Sequence, residues 1–128
     1  MEKILSHLLS PTKLWSRSEI LHQPSLIPAN PGLYAWYFKG IPSRVPTEGC
    51  LAWKGSTLLY VGISPSKPTR SDRKSSQQNL RKRIRYHLQG NAFGSTLRKS
   101  LGCLLSETLG IRLQQVGSSG KQIHFAEG

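Results

Sequence analysis

Three segments in the middle of the chain have the hydrophobic spacing of regular secondary structure. Residues 33–38 are rich in aromatic side chains and residues 58–63 are almost wholly apolar, so both are predicted to be buried β-strands. In residues 79–89, Leu80, Ile84 and Leu88 recur at every fourth position, which predicts a helix with one apolar stripe. Antiparallel pairing of the two strands is plausible, but the long connection at residues 40–55 does not establish it.

Weaker patterns on either side complete the predicted order of elements. A turn or two of helix is expected at residues 2–8, and a second helix is expected to start at the Ser10-Pro11 cap and to end near His22. Prolines make residues 23–31 an extended lead-in. The remaining predicted elements are a basic loop at residues 64–78, a helix capped by Ser95 or Thr96, and strands at residues 111–116 and 121–126.

These elements indicate one small α/β (α+β) domain spanning residues 1–128. The expected architecture is a three-stranded sheet, mixed or antiparallel, flanked by helices, with residues 121–126 as its third strand. Residues 1–29 would form a helical lead-in and residues 30–126 the core.

Charge is distributed unevenly along this framework. The chain has 18 Lys and Arg residues against 6 Asp and Glu residues, a formal charge of +12. Between Lys67 and Lys99, Asp72 is the only acid among ten basic residues. Such clustering favours a nucleic-acid partner over the simpler interpretation of a solvated surface. The expected nucleic-acid contacts are Arg81, Lys82, Arg85, Arg98 and Lys99.

The helix at residues 79–89 also separates its basic side chains by position. At 100° per residue, Arg83 and His87 fall on one flank of the apolar stripe, and Arg81 and Arg85 fall on the other. Arg83 and His87 are therefore placed to lean over a sheet edge together, which distinguishes them from the other basic residues.

The two predicted strands each supply one tyrosine. Tyr34 shares a strand face with Trp36, and Tyr60 shares a face with Gly62, where glycine leaves room for a ligand or backbone. Phenol, guanidinium and imidazole groups can together transfer a proton and stabilise a phosphate. Each of these side chains taken alone is better explained by packing or solvation, and only their combination points to a site.

The order of three short motifs makes the combination more specific. The tripeptides Gly32-Leu33-Tyr34 and Tyr60-Val61-Gly62 precede the helix sequence Asn79-Leu80-Arg81-Lys82-Arg83. This pattern resembles the GIY-YIG nuclease superfamily over residues 30–126, with Leu33 and Val61 as conservative changes. The resemblance implies a metal-dependent DNA endonuclease that hydrolyses phosphodiester bonds.

The resemblance also implies roles for particular residues. Tyr34 and Tyr60 would line the site, and one of them would activate water. Arg83 would contact the scissile phosphate, and His87, four residues later, would assist. A glutamate beyond the third strand would hold one Mg²⁺ or Mn²⁺ ion.

The sequence departs from the family pattern at the metal ligand. Ile63 stands where many members carry lysine, and the stretch from Tyr60 to Arg83 contains an inserted basic loop. Glu127 is the only acid after the last predicted strand. Either Glu127 is the ligand, or the carboxylate and its helix lie beyond Gly128; the second is favoured because an apolar strand without a covering layer is typical of a truncated domain.

Three functions follow as expectations. The first is the endonuclease, with binding surviving better than cleavage in this chain. The second is a catalytically silent nucleic-acid-binding module, and the third is a structural basic domain in a nucleoprotein assembly. Two cysteines without metal-ligand spacing indicate a reduced, cytoplasmic protein. The sequence contains no run of 18 apolar residues, so no membrane span is predicted. Trp15, Trp36 and Trp53 could stack on bases, although packing is the simpler interpretation of each.

Overall fold

The computed structural model describes residues 2–65, 77–89, 92–116 and 122–127. The chain divides into two compact units, Met1–Lys39 with Thr47–Arg85, and Gly40–Pro46 with Tyr86–Gly128. None of the helices in the described part has the length and apolar character needed to cross a membrane. The single-domain organisation stays a prediction, and most of the predicted basic loop lies outside the described residues.

The first unit contains a three-stranded antiparallel sheet. Its strands are β1 (Gly32–Phe38), β2 (Ala52–Trp53) and β3 (Ser56–Ser64), in the order β1-β3-β2. The predicted pairing of the two aromatic-rich strands is therefore antiparallel, and the fold class is confirmed. A β-bulge interrupts the β1–β3 register where Trp36 pairs with Tyr60 and Tyr37 pairs with Leu58.

The third strand of this sheet is not the one expected. It is β2, which lies inside the connection predicted to be irregular. A tight turn at Lys54 and Gly55, both with positive φ (43° and 77°), joins β2 to β3. Two consecutive residues in this conformation form the hairpin turn whose twist matches antiparallel strands, and glycine adopts it without strain.

The second helix of the lead-in is shorter than predicted. The lead-in contains α1 (Glu2–Leu9) and α2 (Arg17–Leu21), so the helix expected to start at Ser10-Pro11 starts instead after Ser16. The Ser16 hydroxyl accepts a hydrogen bond from the Glu19 backbone N–H, and the Glu19 carboxylate accepts one from the Ser16 N–H at 2.7 Å. This reciprocal capping box satisfies two backbone donors and is the stronger of the two start signals. The predicted end near His22 is correct.

Backbone carbonyls of the lead-in are bound by the strand and helix that carry the candidate site. The Tyr37 hydroxyl donates to the Leu8 carbonyl at 2.6 Å. The Arg81 Nε donates to the Ile27 carbonyl at 2.7 Å, and the Leu80 N–H donates to the Asn30 carbonyl at 3.0 Å. The lead-in is thus packed along β1 and the start of the third helix, α3 (Leu80–Gln89).

The second unit is built around a helix and a β-hairpin. The last residues of α3 are followed by a 3₁₀ turn (Ala92–Gly94), α4 (Thr96–Leu109), β4 (Ile111–Val116) and β5 (Gln122–Glu127). Strands β4 and β5 form their own two-stranded antiparallel sheet, so the strand predicted at residues 121–126 exists but does not belong to the three-stranded sheet. Ser95 caps α4 by accepting from the Arg98 N–H at 3.1 Å, as predicted.

Candidate active site

The register of β1 and β3 places the two predicted tyrosines on one face of the sheet. Tyr34 pairs with Gly62 and Trp36 pairs with Tyr60, so Tyr34 and Tyr60 are diagonal neighbours. Their ring centroids are 6.4 Å apart, with the ring planes inclined by 35°. The side chains are therefore close enough for their hydroxyl groups to interact.

Gly62 is the residue that permits this arrangement. A Cβ atom built on Gly62 would lie 2.7 Å from Cε2 of the Tyr34 ring and would overlap Cζ and the hydroxyl more severely. The Tyr34 ring therefore lies directly over the glycine. The room that the sequence assigned to a ligand or backbone beside Gly62 is filled by Tyr34 itself.

Arg83 completes the cluster from α3. The helix is capped by Asn79, whose side-chain oxygen accepts from the Lys82 N–H at 3.0 Å and whose carbonyl accepts from the Arg83 N–H at 2.9 Å. The Tyr34 hydroxyl forms side-chain hydrogen bonds with both Arg83 and Tyr60. A guanidinium can only donate, so Tyr34 accepts from Arg83 and its own hydrogen is available for the Tyr60 oxygen.

Burial strengthens the preference of Tyr34 for its neutral form. The side chain is only 6% exposed, and this burial raises the pKa of the phenol above its ordinary value of 10.0. The hydrogen bond from Arg83 acts in the opposite direction but does not cancel the effect. Tyr34 is therefore neutral at physiological pH. Its hydroxyl accepts a hydrogen bond from Arg83 and can donate one to the Tyr60 oxygen.

His87, the fourth predicted catalytic residue, forms a hydrogen bond with Ser95 in the second unit. Its side chain is 3% exposed, and Nδ1 lies 2.7 Å from the hydroxyl oxygen of Ser95. The Ser95 oxygen also accepts from the Arg98 N–H, so one hydroxyl contacts both the start of α4 and the buried imidazole. No pattern in the sequence pointed to this pair, and the catalytic role of His87 stays a prediction.

Several residues predicted to contact nucleic acid have intramolecular partners. The Arg98 Nη1 donates to the Leu88 carbonyl at 2.8 Å and so caps the end of α3. With the Gln23 amide oriented towards it, Arg85 donates to the side-chain oxygen of Gln23 at 2.9 Å, and Arg81 binds Ile27 as described above. Lys82 is exposed, and its Nζ donates to the Gln77 carbonyl at 3.1 Å. Contact with nucleic acid stays a prediction for these residues and for Lys99.

The described part of the cluster offers no ready metal site. Mg²⁺ and Mn²⁺ prefer oxygen ligands, supplied in proteins mainly by carboxylates. Within the ranges the structure describes, no group of three His, Cys, Asp or Glu side chains is placed to hold a metal ion. The predicted ligand Glu127 is the last residue of β5, and its side chain lies outside the described residues. The described side chains alone thus do not supply a ligand set for the ion.

Comparison with known proteins agrees with the fold and the motif positions. A family model for the GIY-YIG catalytic domain matches residues 32–128, the region that carries Tyr34, Tyr60 and Arg83. The fold and this match define a nuclease-type domain. The chain belongs to the GIY-YIG family, whose members generally use divalent metal ions. Searches among curated proteins and among solved structures gave no match.

Proposed function

We propose that this domain is a DNA endonuclease that uses Mg²⁺ or Mn²⁺ and hydrolyses a phosphodiester bond at the Tyr34–Tyr60–Arg83 cluster. The observation that carries the proposal is the hydrogen bonding of one buried phenol to both a second phenol and a guanidinium. The charge of +12 supports a polyanionic substrate.

The three side chains have distinct parts in this proposal. Arg83 holds the scissile phosphate through its guanidinium, a donor fork that matches phosphate oxygens and opposes the charge that develops as water attacks phosphorus. Tyr60, more exposed than Tyr34, acts as the base in its phenolate form: its hydroxyl proton is released to solvent, and the phenolate oxygen then takes the proton from the attacking water. The hydrogen that Tyr34 donates stabilises the negative charge on the Tyr60 phenolate oxygen, and this charge is neutralised when the proton arrives.

The metal ion is proposed from family membership, with Glu127 as its candidate ligand. Such an ion, if held there, would polarise phosphate oxygens and add to the positive charge around them. Glu127→Gln provides the direct test of this assignment. Loss of metal-stimulated nicking with unchanged DNA binding is expected, and unchanged nicking would remove Glu127 from the site.

Plasmid nicking tests the proposal as a whole. Supercoiled plasmid is incubated with Mg²⁺ or Mn²⁺, and with EDTA, beside the wild-type chain, Arg83→Ala and the control Arg112→Ala, which removes an exposed arginine of β4. We expect nicking that EDTA abolishes, that falls at least about 10²-fold in Arg83→Ala and that is unchanged in Arg112→Ala. Wild-type nicking in Arg83→Ala would refute the proposed role of Arg83.

The second candidate is a nucleic-acid-binding module that does not cleave. It is favoured by the scarcity of carboxylates, six in the whole chain, and by the lack of a three-residue metal-binding group in the described part. The same experiment separates the two. Absence of nicking together with DNA binding that weakens steeply with salt would support the module, and absence of binding at low salt would refute both.

A further inference from the structure

A cavity of about 340 Å³ lies in the first unit beside β1. Pockets that hold small molecules usually measure about 300–1,000 Å³ and are lined mainly by apolar and aromatic side chains. Trp15, Trp36 and Tyr34 supply three aromatic rings to its wall. The cavity therefore has the size and the lining for a flat, aromatic ligand.

The mouth of this cavity is open and carries a lysine that is ion-paired with a glutamate. Trp15 and Leu26, both lining residues, are 51% and 54% exposed. Lys13, a further lining residue, places its Nζ 4.0 Å from the centre of the Trp15 ring and 2.9 Å from the Glu19 carboxylate. The Glu19 carboxylate offsets the Lys13 charge, so what the mouth offers to a nucleic acid is the exposed Trp15 indole, an aromatic surface of the kind on which bases stack.

Tyr34 connects the cavity with the proposed catalytic cluster. Tyr34 is one of the residues that line the cavity, and its hydroxyl forms hydrogen bonds with Arg83 and Tyr60. A phosphate bound by Arg83 would therefore have the cavity as its immediate neighbour. In a nucleic-acid strand the group next to a phosphate is a nucleoside, and its base is flat and aromatic.

We infer that the cavity receives one unstacked base from the nucleotide next to the phosphate held by Arg83. This inference rests on the proposed function and adds a preference to it. A base enters such a pocket only after it has left its stack, so unpaired and mismatched positions bind more readily than regular duplex. Bulged, looped or single-stranded DNA is the substrate class that this geometry favours.

The test compares two DNA duplexes that differ only in the presence of one base. One duplex has a single unpaired nucleotide, and the other has an abasic residue at the same place, so that their phosphates are equal in number. Affinities for the wild-type chain are measured by fluorescence anisotropy at fixed salt, without metal so that no cleavage occurs. We expect the unpaired base to improve affinity about tenfold, as for one base stacked on aromatic side chains.

The chain offers a matched pair of tryptophans for this test. Trp53 on β2 also carries a lysine over its ring, with the Lys54 Nζ 4.8 Å from the ring centre, but it does not line the cavity. Trp15→Ala should abolish the preference for the unpaired base and leave abasic binding unchanged. Trp53→Ala should keep the preference, and Trp15→Phe, which retains a ring, should keep most of it.

The outcomes separate this inference from the proposed function. Equal affinity of the wild-type chain for the two duplexes would overturn the inference, leave the nuclease intact and point to another occupant of the cavity. Loss of the preference in Trp53→Ala as well, or its survival in Trp15→Ala, would also overturn it. A clear preference without any cleavage on addition of metal would support the base pocket and refute the endonuclease.

Discussion

Replacement of Gly62 on β3 by alanine is expected to disrupt the candidate site by displacing Tyr34 on the neighbouring strand β1. The added methyl group would lie 2.7 Å from Cε2 of Tyr34 and closer still to Cζ and the hydroxyl, so the ring must move. The ring is 6% exposed, so moving it off Gly62 disturbs its packing and its hydrogen bonds with Arg83 and Tyr60. Overpacking of this kind costs about 1–3 kcal/mol of folding free energy. A shift of about 1 Å at a reacting group can reduce the rate about 10²-fold.

Urea unfolding and plasmid nicking measure the two effects separately. Gly40→Ala is the matched control, because a Cβ there has no atom within 4 Å and the change in unfolding free energy should stay within about 0.5 kcal/mol. In a Tyr34→Ala background the overlap is gone, so Gly62→Ala should then cost little, giving a coupling free energy of about 1–3 kcal/mol. Wild-type stability and nicking in Gly62→Ala would refute the packing of Tyr34 over β3.

Two further predictions concern the capping residues. Ser95→Ala removes both the cap of α4 and the partner of the His87 ring. The unfolding free energy measured in urea should therefore fall by about 2 kcal/mol. An unchanged value would contradict the buried His87–Ser95 hydrogen bond. Hydrogen bonds from Lys13 and Ser16 lower the pKa of Glu19 from 4.5 to about 2, so its contribution is fully present above pH 4.5 and is lost as the pH falls towards 2. Wild-type chain and Glu19→Gln should therefore differ in thermal stability at pH 6 and converge near pH 2, whereas a difference independent of pH would argue against the ionised carboxylate as the source of the stabilisation.

The parts of the fold that sequence predicted are those with a clear period. The spacing of Leu80, Ile84 and Leu88 predicted α3, and the apolar runs around Tyr34 and Tyr60 predicted β1 and β3. Strand β2 has two residues, too few for any period to show. The alternation of residues 121–126 predicted a strand but carried no information about its partner, which is β4.

The site could be predicted in composition but not in its internal contacts. The motif order singled out Tyr34, Tyr60 and Arg83, and the register explains how one sheet face holds both phenols. The close approach of Tyr34 to Gly62 depends on that register, which a sequence does not specify across a long connection. Likewise, nothing in the sequence distinguishes Arg98 from the other basic residues, whereas in the structure its side chain is bound to the Leu88 carbonyl.

A double-mutant cycle on the cleavage rate tests most directly whether Tyr60 and Arg83 act on one phosphate. Single-turnover nicking is measured for Tyr60→Phe, Arg83→Ala and the double variant. Tyr37→Phe is the control, because among the described residues the Tyr37 hydroxyl bonds only to the Leu8 carbonyl. Residues that act as a unit give non-additive losses, so the double variant should be about as slow as the slower single variant, and Tyr37→Phe should cleave normally. Losses that multiply in the double variant, or full activity in Tyr60→Phe, would contradict a shared site.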